Sequence, residues 1–249
     1  MKLLALAWTL LFITVPLYAE PGTAVDSSAA DDAVSVAPER GLRIPKAKLG
    51  LTHYFDSRQY ETLTVFSQLD DLPLGLRLWG FTDFHGDPKH PDGRFHLDRF
   101  FMEYRALAPL KSDWLSKSDE FGGIAEYDDF NGPGNSLVRF GAYYQHVLPL
   151  AGKRTGSLHW RVFPFETDGR GSQVSLSYSI PLADRISISG FADLNFVTEG
   201  ADLWLIEPQL NVRLNKHVAV VLEFRHNGFE QAAAGVSGTG VALGLAFSR

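Results

Sequence analysis

Cysteine is absent from the 249 residues. That excludes a disulfide framework, a thiolate metal site, a cysteine nucleophile and a lipidated N-terminal cysteine. Excess charge is scarce as well. The formal net charge is -6, with 23 Lys and Arg against 29 Asp and Glu spread along the chain. Without a basic block there is no footprint for phosphate neutralisation, so nucleic acid is not an expected partner. Long apolar runs are missing with one exception: Lys2 precedes LLALAWTLLFITVPL, which exits into YAEPGTA. A short positive region, an apolar centre and a small-residue exit read as a secretory signal peptide over residues 1–19, with Ala24 a second cleavage candidate. Nothing after it is long enough for a transmembrane helix.

What is present favours strands. Aromatics make up 12% of the chain, with 18 Phe, and there are 23 Gly to serve tight turns. Residues 20–45, rich in Ala, Ser, Asp and Pro, have little to bury and read as a flexible lead-in. From Lys46 onward, apolar and polar residues alternate with period two, broken by Gly, Pro, Asp and Asn. About twelve strand candidates result, from LGLTHYFD to GVALGLAFSR; only PLKSDWLSKSDE suggests a helical turn. Connectors after even-numbered strands are mostly plain, such as PLAD and NK. Those after odd-numbered strands carry Gly, Asp and His, as in HGDPKHPDG, DFNGPGN and ETDGRG. Two alternating connector styles fit a structure whose ends face different surroundings.

The faces are well separated. In RISISGFADLNF, Ile186, Ile188, Leu194 and Phe196 oppose Ser187, Ser189, Asp193 and Asn195; in SQVSLSYSI, Val174, Leu176, Tyr178 and Ile180 oppose an all-polar row. A soluble sandwich also alternates with period two. The export signal, the strand length of about ten residues and the mid-strand opposite charges on the polar face favour lipid outside and a wet lumen inside. The expected fold class is therefore all-β, a transmembrane antiparallel meander β-barrel of about 12 strands over residues 46–249, with both termini periplasmic. Its place is the outer membrane of a Gram-negative-type cell, with outer-membrane lipid as its surroundings. The last strand, Gly240–Phe247, sets Val241, Leu243, Leu245 and Phe247 against Ala242, Gly244 and Ala246. It reads as the closing strand and as the signal offered to the barrel-assembly machinery, although Ser248 and Arg249 follow the terminal aromatic; its small inward residues are expected to leave lumen space.

Several segments in order carry a resemblance: YETLTVFSQLD before LRLWGFTDFHG, then FFMEYRALAPL, VSLSYSIPL, ISGFADLNF, IEPQLNVRL and VVLEFRHNG before GVALGLAF. Together they resemble the nucleoside-specific outer-membrane channels of the Tsx type. The resemblance covers most of the chain after Lys46 and implies twelve strands and passive passage of a small polar solute, a nucleoside, without a cofactor. It supplies no ligand-binding residue position by position.

The alternation itself nominates lumen-lining residues for a solute path: Arg77, Trp79, Phe81, Asp83, Arg99, Glu103, Arg105, Glu126, Arg139, Tyr143, Arg161, Asp193, Asn195, Glu207, Gln209, Arg213, Glu223 and Arg225. Paired charges with rings could pass a small ring-bearing solute; the same residues could instead be structural ladders. His85, Asp87, His90, Asp92 and His96 match no known closed metal spacing, so no metal is expected. Asp128 and Asp129, like Asp70 and Asp71, point to opposite faces as strand neighbours and so do not share a proton. Two other functions stay open. One is an outer-membrane hydrolase using His159 with Glu166 or His226 with Ser237, which no local motif singles out. The other is a closed structural or adhesive barrel.

Overall fold

Period-two alternation becomes a single closed sheet. In the computed structural model the described residues are 45–86, 96–110, 115–116, 118–130, 136–151, 154–167, 171–197, 202–229 and 237–248. The segments expected as signal peptide and lead-in therefore lie outside the described residues, apart from Pro45. The strands are β1 (Lys46–Asp56), β2 (Tyr60–Asp70), β3 (Arg77–Gly86), β4 (Leu97–Leu110), β5 (Glu120–Phe130) and β6 (Ser136–Pro149), then β7 (Thr155–Glu166), β8 (Gly171–Pro181), β9 (Ile186–Val197), β10 (Leu203–Arg213), β11 (Val218–Asn227) and β12 (Gly238–Ser248). Each pairs with its sequence neighbour, and β12 returns to β1, closing a twelve-stranded meander. The closing ladder is antiparallel and runs from Gly50 opposite Ser248 to Asp56 opposite Ala242. Closure leaves no edge, so every strand has two hydrogen-bonded neighbours. Among the described residues no helix is long and apolar enough to cross a membrane.

The apolar face is outside. Along β12, Val241, Leu243, Leu245 and Phe247 are 40–55% exposed, whereas Ala242 between them is 0% exposed. Phe55, Trp160, Val162, Ile186, Trp204, Leu210, Leu222 and Phe224 continue the exposed apolar surface on other strands. Buried charge is inside: Glu103, Arg105, Glu126, Arg139, Arg161, Asp193, Glu223 and Arg225 are all buried. A water-soluble fold shows the opposite arrangement, because apolar exteriors on monomers rarely exceed a few hundred Å². This excludes the sandwich reading.

Pro109, Pro149 and Pro181 fall at the last or next-to-last position of their strands, and two further prolines sit deeper, each where the ladder yields. Between β6 and β7 the register shifts between Phe140 and Ala142, and Pro164 falls in the matching interval between Val162 and Phe165. A bulge tolerates the missing N–H. Pro208 of β10 pairs with Gly190 of β9, while the β10–β11 ladder skips Glu207 and Pro208. Gly190 takes φ 140°, and a Cβ there would lie 2.8 Å from the Pro208 Cα. Only glycine fits.

Two sequence expectations change. LGLRLWGFTDF does not start a strand at Leu74; Pro73–Gly75 form a 3-10 turn with Leu74 at φ 64°, and β3 starts at Arg77. Of the small inward residues of β12, Ala246 lines the lower cavity, but Ala242 and Gly244 leave no lumen space. A Cβ on Gly244 would lie 2.5 Å from Cδ1 of the Tyr54 ring, and one on Gly240 would lie 2.5 Å from Nε of Arg58. The vacancies are seats for large side chains from across the seam. Tyr54 packs there with Val221 and Ala242.

Candidate functional site

β1 begins and β12 stops at one rim, called lower here; the β1–β2 turn lies at the upper rim. Inward side chains divide the lumen between them. Toward the lower rim they leave a chamber of about 490 Å³. Its wall combines Phe66, Gln68 and Asp70 of β2, Arg77, Trp79, Phe81 and Asp83 of β3, and Glu103, Arg105 and Leu107 of β4. It continues through Gln145, His159, Arg161, Phe191, Glu207 and Gln209 to Glu223 and Arg225 on β11. A second cavity of about 500 Å³ opens at the lower rim over β8 to β12 and includes Asn211 and Arg213.

Register explains which charges meet. Arg105 stands opposite Glu126, Glu126 opposite Arg139, and Arg139 opposite Glu166, so directly facing residues form a chain of ion pairs across β4 to β7. The Nε of Arg105 donates to Glu126 at 2.6 Å, and Arg105 also pairs with Glu103. Arg139 donates to Glu126 at 2.9 Å, to Glu166 at 2.7 Å and to Asp128. Farther round, Arg161 donates to Ser177 at 3.1 Å and to Ser175, and lies 3.9 Å from Asp193. Gln173 donates to Asn195 at 3.1 Å. The carboxylates of Glu103, Glu126 and Asp128 have oxygens within 4.8 Å of one another. Arg105 and Arg139 already occupy the space between them, so the arrangement is an ion-pair lattice rather than a set of metal ligands.

A second lattice closes the seam side. Arg225 pairs with Glu223, lies 3.5 Å from Asp56, donates to Thr62 at 3.2 Å and sits 4.7 Å above the Tyr54 ring. Arg58 holds Asp56 at 2.9 Å. Such pairs must repay the desolvation of both charges, which is why each guanidinium here has several partners.

A row of rings climbs the opposite wall. Phe66 meets Trp79 at 5.7 Å between centroids, Trp79 meets Phe81 at 5.7 Å, Phe81 meets Phe101 at 5.6 Å, and Phe101 meets Phe130 at 4.7 Å. Direct register pairing of Phe66 with Phe81 and of Phe101 with Phe130 holds the row in place across four strands. The row starts in the chamber and reaches the upper end of β5, where Phe130 is 50% exposed. Arg105 lies 4.7 Å over the Trp79 ring.

Several polar groups facing this space are not saturated. Glu207 makes no hydrogen bond or ion pair among the described residues, and Asp83 is held by the Thr64 hydroxyl at 2.5 Å. The Nε atoms of Arg77 and Arg161 and Nε2 of His159 are buried without a hydrogen-bond partner.

The nominated residues thus fall in five places. The chamber gathers Arg77, Trp79, Phe81, Asp83, Glu103, Arg105, Arg161, Glu207, Gln209, Glu223 and Arg225. Glu126, Arg139, Asp193 and Asn195 are packed beyond it, and Tyr143 joins an apolar knot with Leu107, Ile124 and Phe163. Arg99 pairs with Asp98 near the upper rim, and Arg213 bonds the Asp184 carbonyl at the lower rim. Tyr54, Phe66, Phe101, Phe130 and His159 were not nominated; their inward parity was the available signal. The imagined hydrolase pairs are not assembled. His159 and Glu166 are seven residues apart on β7, about 23 Å at strand rise, and His226 bonds Thr239 at 3.0 Å. Of the His and Asp loop, His85 turns inward to Thr62 at 3.0 Å. Asp87, His90 and Asp92 lie outside the described residues.

No protein-family model and no curated protein matches the chain. Solved structures do. A KdgM porin in complex with disordered oligogalacturonate is 10% identical, with a TM-score of 0.52 over 81% of this chain and 99% of that one. A structure of KdgM porin alone gives 9% identity and a TM-score of 0.51, with the same coverage. Outer membrane phospholipase A from Escherichia coli gives 11% identity and 0.49, over 80% of this chain and 91% of that one. The likeness is one of fold: the chain closes into the same kind of barrel as a porin.

Proposed function

We propose that the protein is an outer-membrane channel for passive uptake of a small polar, ring-bearing solute, with a nucleoside as the specific candidate. The five-ring row carries the reading. It lines one wall of the lumen from the chamber to the upper rim, and flat rings a few Å apart offer a solute ring successive stacking positions at little cost between them. Around it, unpaired donors on Arg77, Arg161 and His159 and the acceptors of Asp83 and Glu207, with Arg77 and Asp83 on the same strand as Trp79 and Phe81, match a solute with polar groups on its edge. The KdgM porin fold supports the channel class, since that porin was captured with a sugar oligomer. The apolar exterior supports residence in lipid.

The test is single-channel conductance of refolded protein in a planar bilayer, with nucleosides added to one side. Discrete steps that nucleosides partly block, with the block reduced in Phe81→Ala, are expected. Steps without block would retain the channel and remove the nucleoside. A folded barrel without conductance would overturn the channel and favour the closed structural barrel, since ion-pair lattices fill much of the lumen.

A further inference from the structure

The charges on the chamber wall are not equivalent. Every arginine there already has an acid or hydroxyl partner, with only Nε of Arg77 and of Arg161 left unpaired: Arg77 holds Glu120, Arg105 holds Glu103 and Glu126, Arg161 holds the Ser175 and Ser177 hydroxyls beside Asp193, and Arg225 holds Glu223. An anion entering the chamber would have to compete with a carboxylate or hydroxyl already in place. Two carboxyl groups have no cation within ion-pair distance among the described residues, and Arg225 acts on both only from farther off. Glu207 has no hydrogen bond or ion pair among the described residues, and Asp83 has only the Thr64 hydroxyl. Both face the chamber, together with the rings of Tyr54, Phe81 and Phe191. Two of the chamber's rings already carry a cation, since guanidiniums sit 4.7 Å over Tyr54 and over Trp79.

From this we infer that the chamber selects cations over anions and that its preferred solute is a flat ring bearing a positively charged edge. The edge meets Glu207 and Asp83, and the ring face lies against the chamber aromatics. The inference rests on the channel reading for its route of entry but concerns the chemistry of the chamber. It also separates this lumen from that of the KdgM porin, whose bound oligogalacturonate is a polyanion. Glu207 becomes the residue that sets solute charge.

Benzamidinium and benzoate test it directly, because they share a ring and differ in the sign of the edge. In a bilayer under a potassium chloride gradient, the reversal potential is expected to have the sign of cation preference. Benzamidinium is expected to block at a concentration at least tenfold lower than benzoate. Glu207→Gln is expected to reduce both the cation preference and the benzamidinium block, while unchanged heat-modifiable migration shows that it folds. Anion preference, or equal block by the two compounds, would overturn the inference while leaving the channel intact. If no conductance appears, the channel reading fails and the chamber is tested alone. Benzamidinium should then quench the fluorescence assigned to Trp79 by comparison with Trp79→Phe, and benzoate should not. Quenching by benzoate, or by neither compound, would overturn the inference.

Discussion

Replacing Arg139 with methionine tests whether the upper lattice holds the barrel together. The guanidinium bonds Glu126 at 2.9 Å, Glu166 at 2.7 Å and Asp128, and is 8% exposed. Methionine fills a similar volume but strands Asp128 and Glu166 and leaves Glu126 with Arg105 alone. Removing one partner of a buried pair costs about 3–5 kcal/mol, because the remaining charge has lost both water and its counter-ion. The folding equilibrium should therefore fall by roughly a hundred-fold to a few thousand-fold. Urea unfolding in micelles, followed by tryptophan fluorescence and heat-modifiable migration, reads the change. Adding Asp128→Asn and Glu166→Gln to Arg139→Met should recover part of the loss, because the stranded charge is then removed. Asp128→Asn alone should cost less than Arg139→Met, because Arg139 keeps Glu126 and Glu166. A loss below about 1 kcal/mol for Arg139→Met, or a triple variant less stable than the single one, would refute the view that uncompensated charge dominates.

Gly244→Val puts branched atoms where a Cβ already lies 2.5 Å from the Tyr54 ring, and should cost about 1–3 kcal/mol in the same unfolding assay. Gly123→Ala, whose Cβ meets nothing within 4 Å, should be tolerated. In the turn before β5, the Val147 N–H donates to Asp119 at 3.0 Å, and His146 and Tyr144 bond it too, which holds its carboxyl below the usual range. The stabilisation is present above the ordinary carboxyl value and is lost as pH falls through the lowered one. The stability gap between wild type and Asp119→Asn should thus close on acidification below about pH 4. Phe66→Ala and Phe101→Ala should each weaken nucleoside block without abolishing conductance, and a full-strength block in both would remove the ring row from the path.

Alternation made the strands and their faces legible because a side chain's direction in a strand depends only on parity. Val174, Leu176 and Tyr178 against Gln173, Ser175 and Ser177 is visible without a structure. Partnership was not visible. Arg139 meets Glu166 because of the β6–β7 register, and that register contains a shift opposite Pro164 that parity counting carries no sign of. The ring row was hidden for a similar reason: Phe66, Trp79, Phe101 and Phe130 come from four strands, and only cross-strand pairing stacks them. The β12 glycines were misread because emptiness along one strand is decided by the size of what its neighbour presents. Tyr54 and Arg58, almost two hundred residues away, take that room.

That seam ties the beginning of the barrel to its end. β1 is made first but finds only one partner, β2, until the ribosome has delivered β12, and the Tyr54 ring has no seat until Gly244 exists. A product cut short anywhere before the last strand remains an open ribbon with two bare edges and an unseated aromatic. Completion is therefore checked by geometry, because only a chain that includes β12 can close.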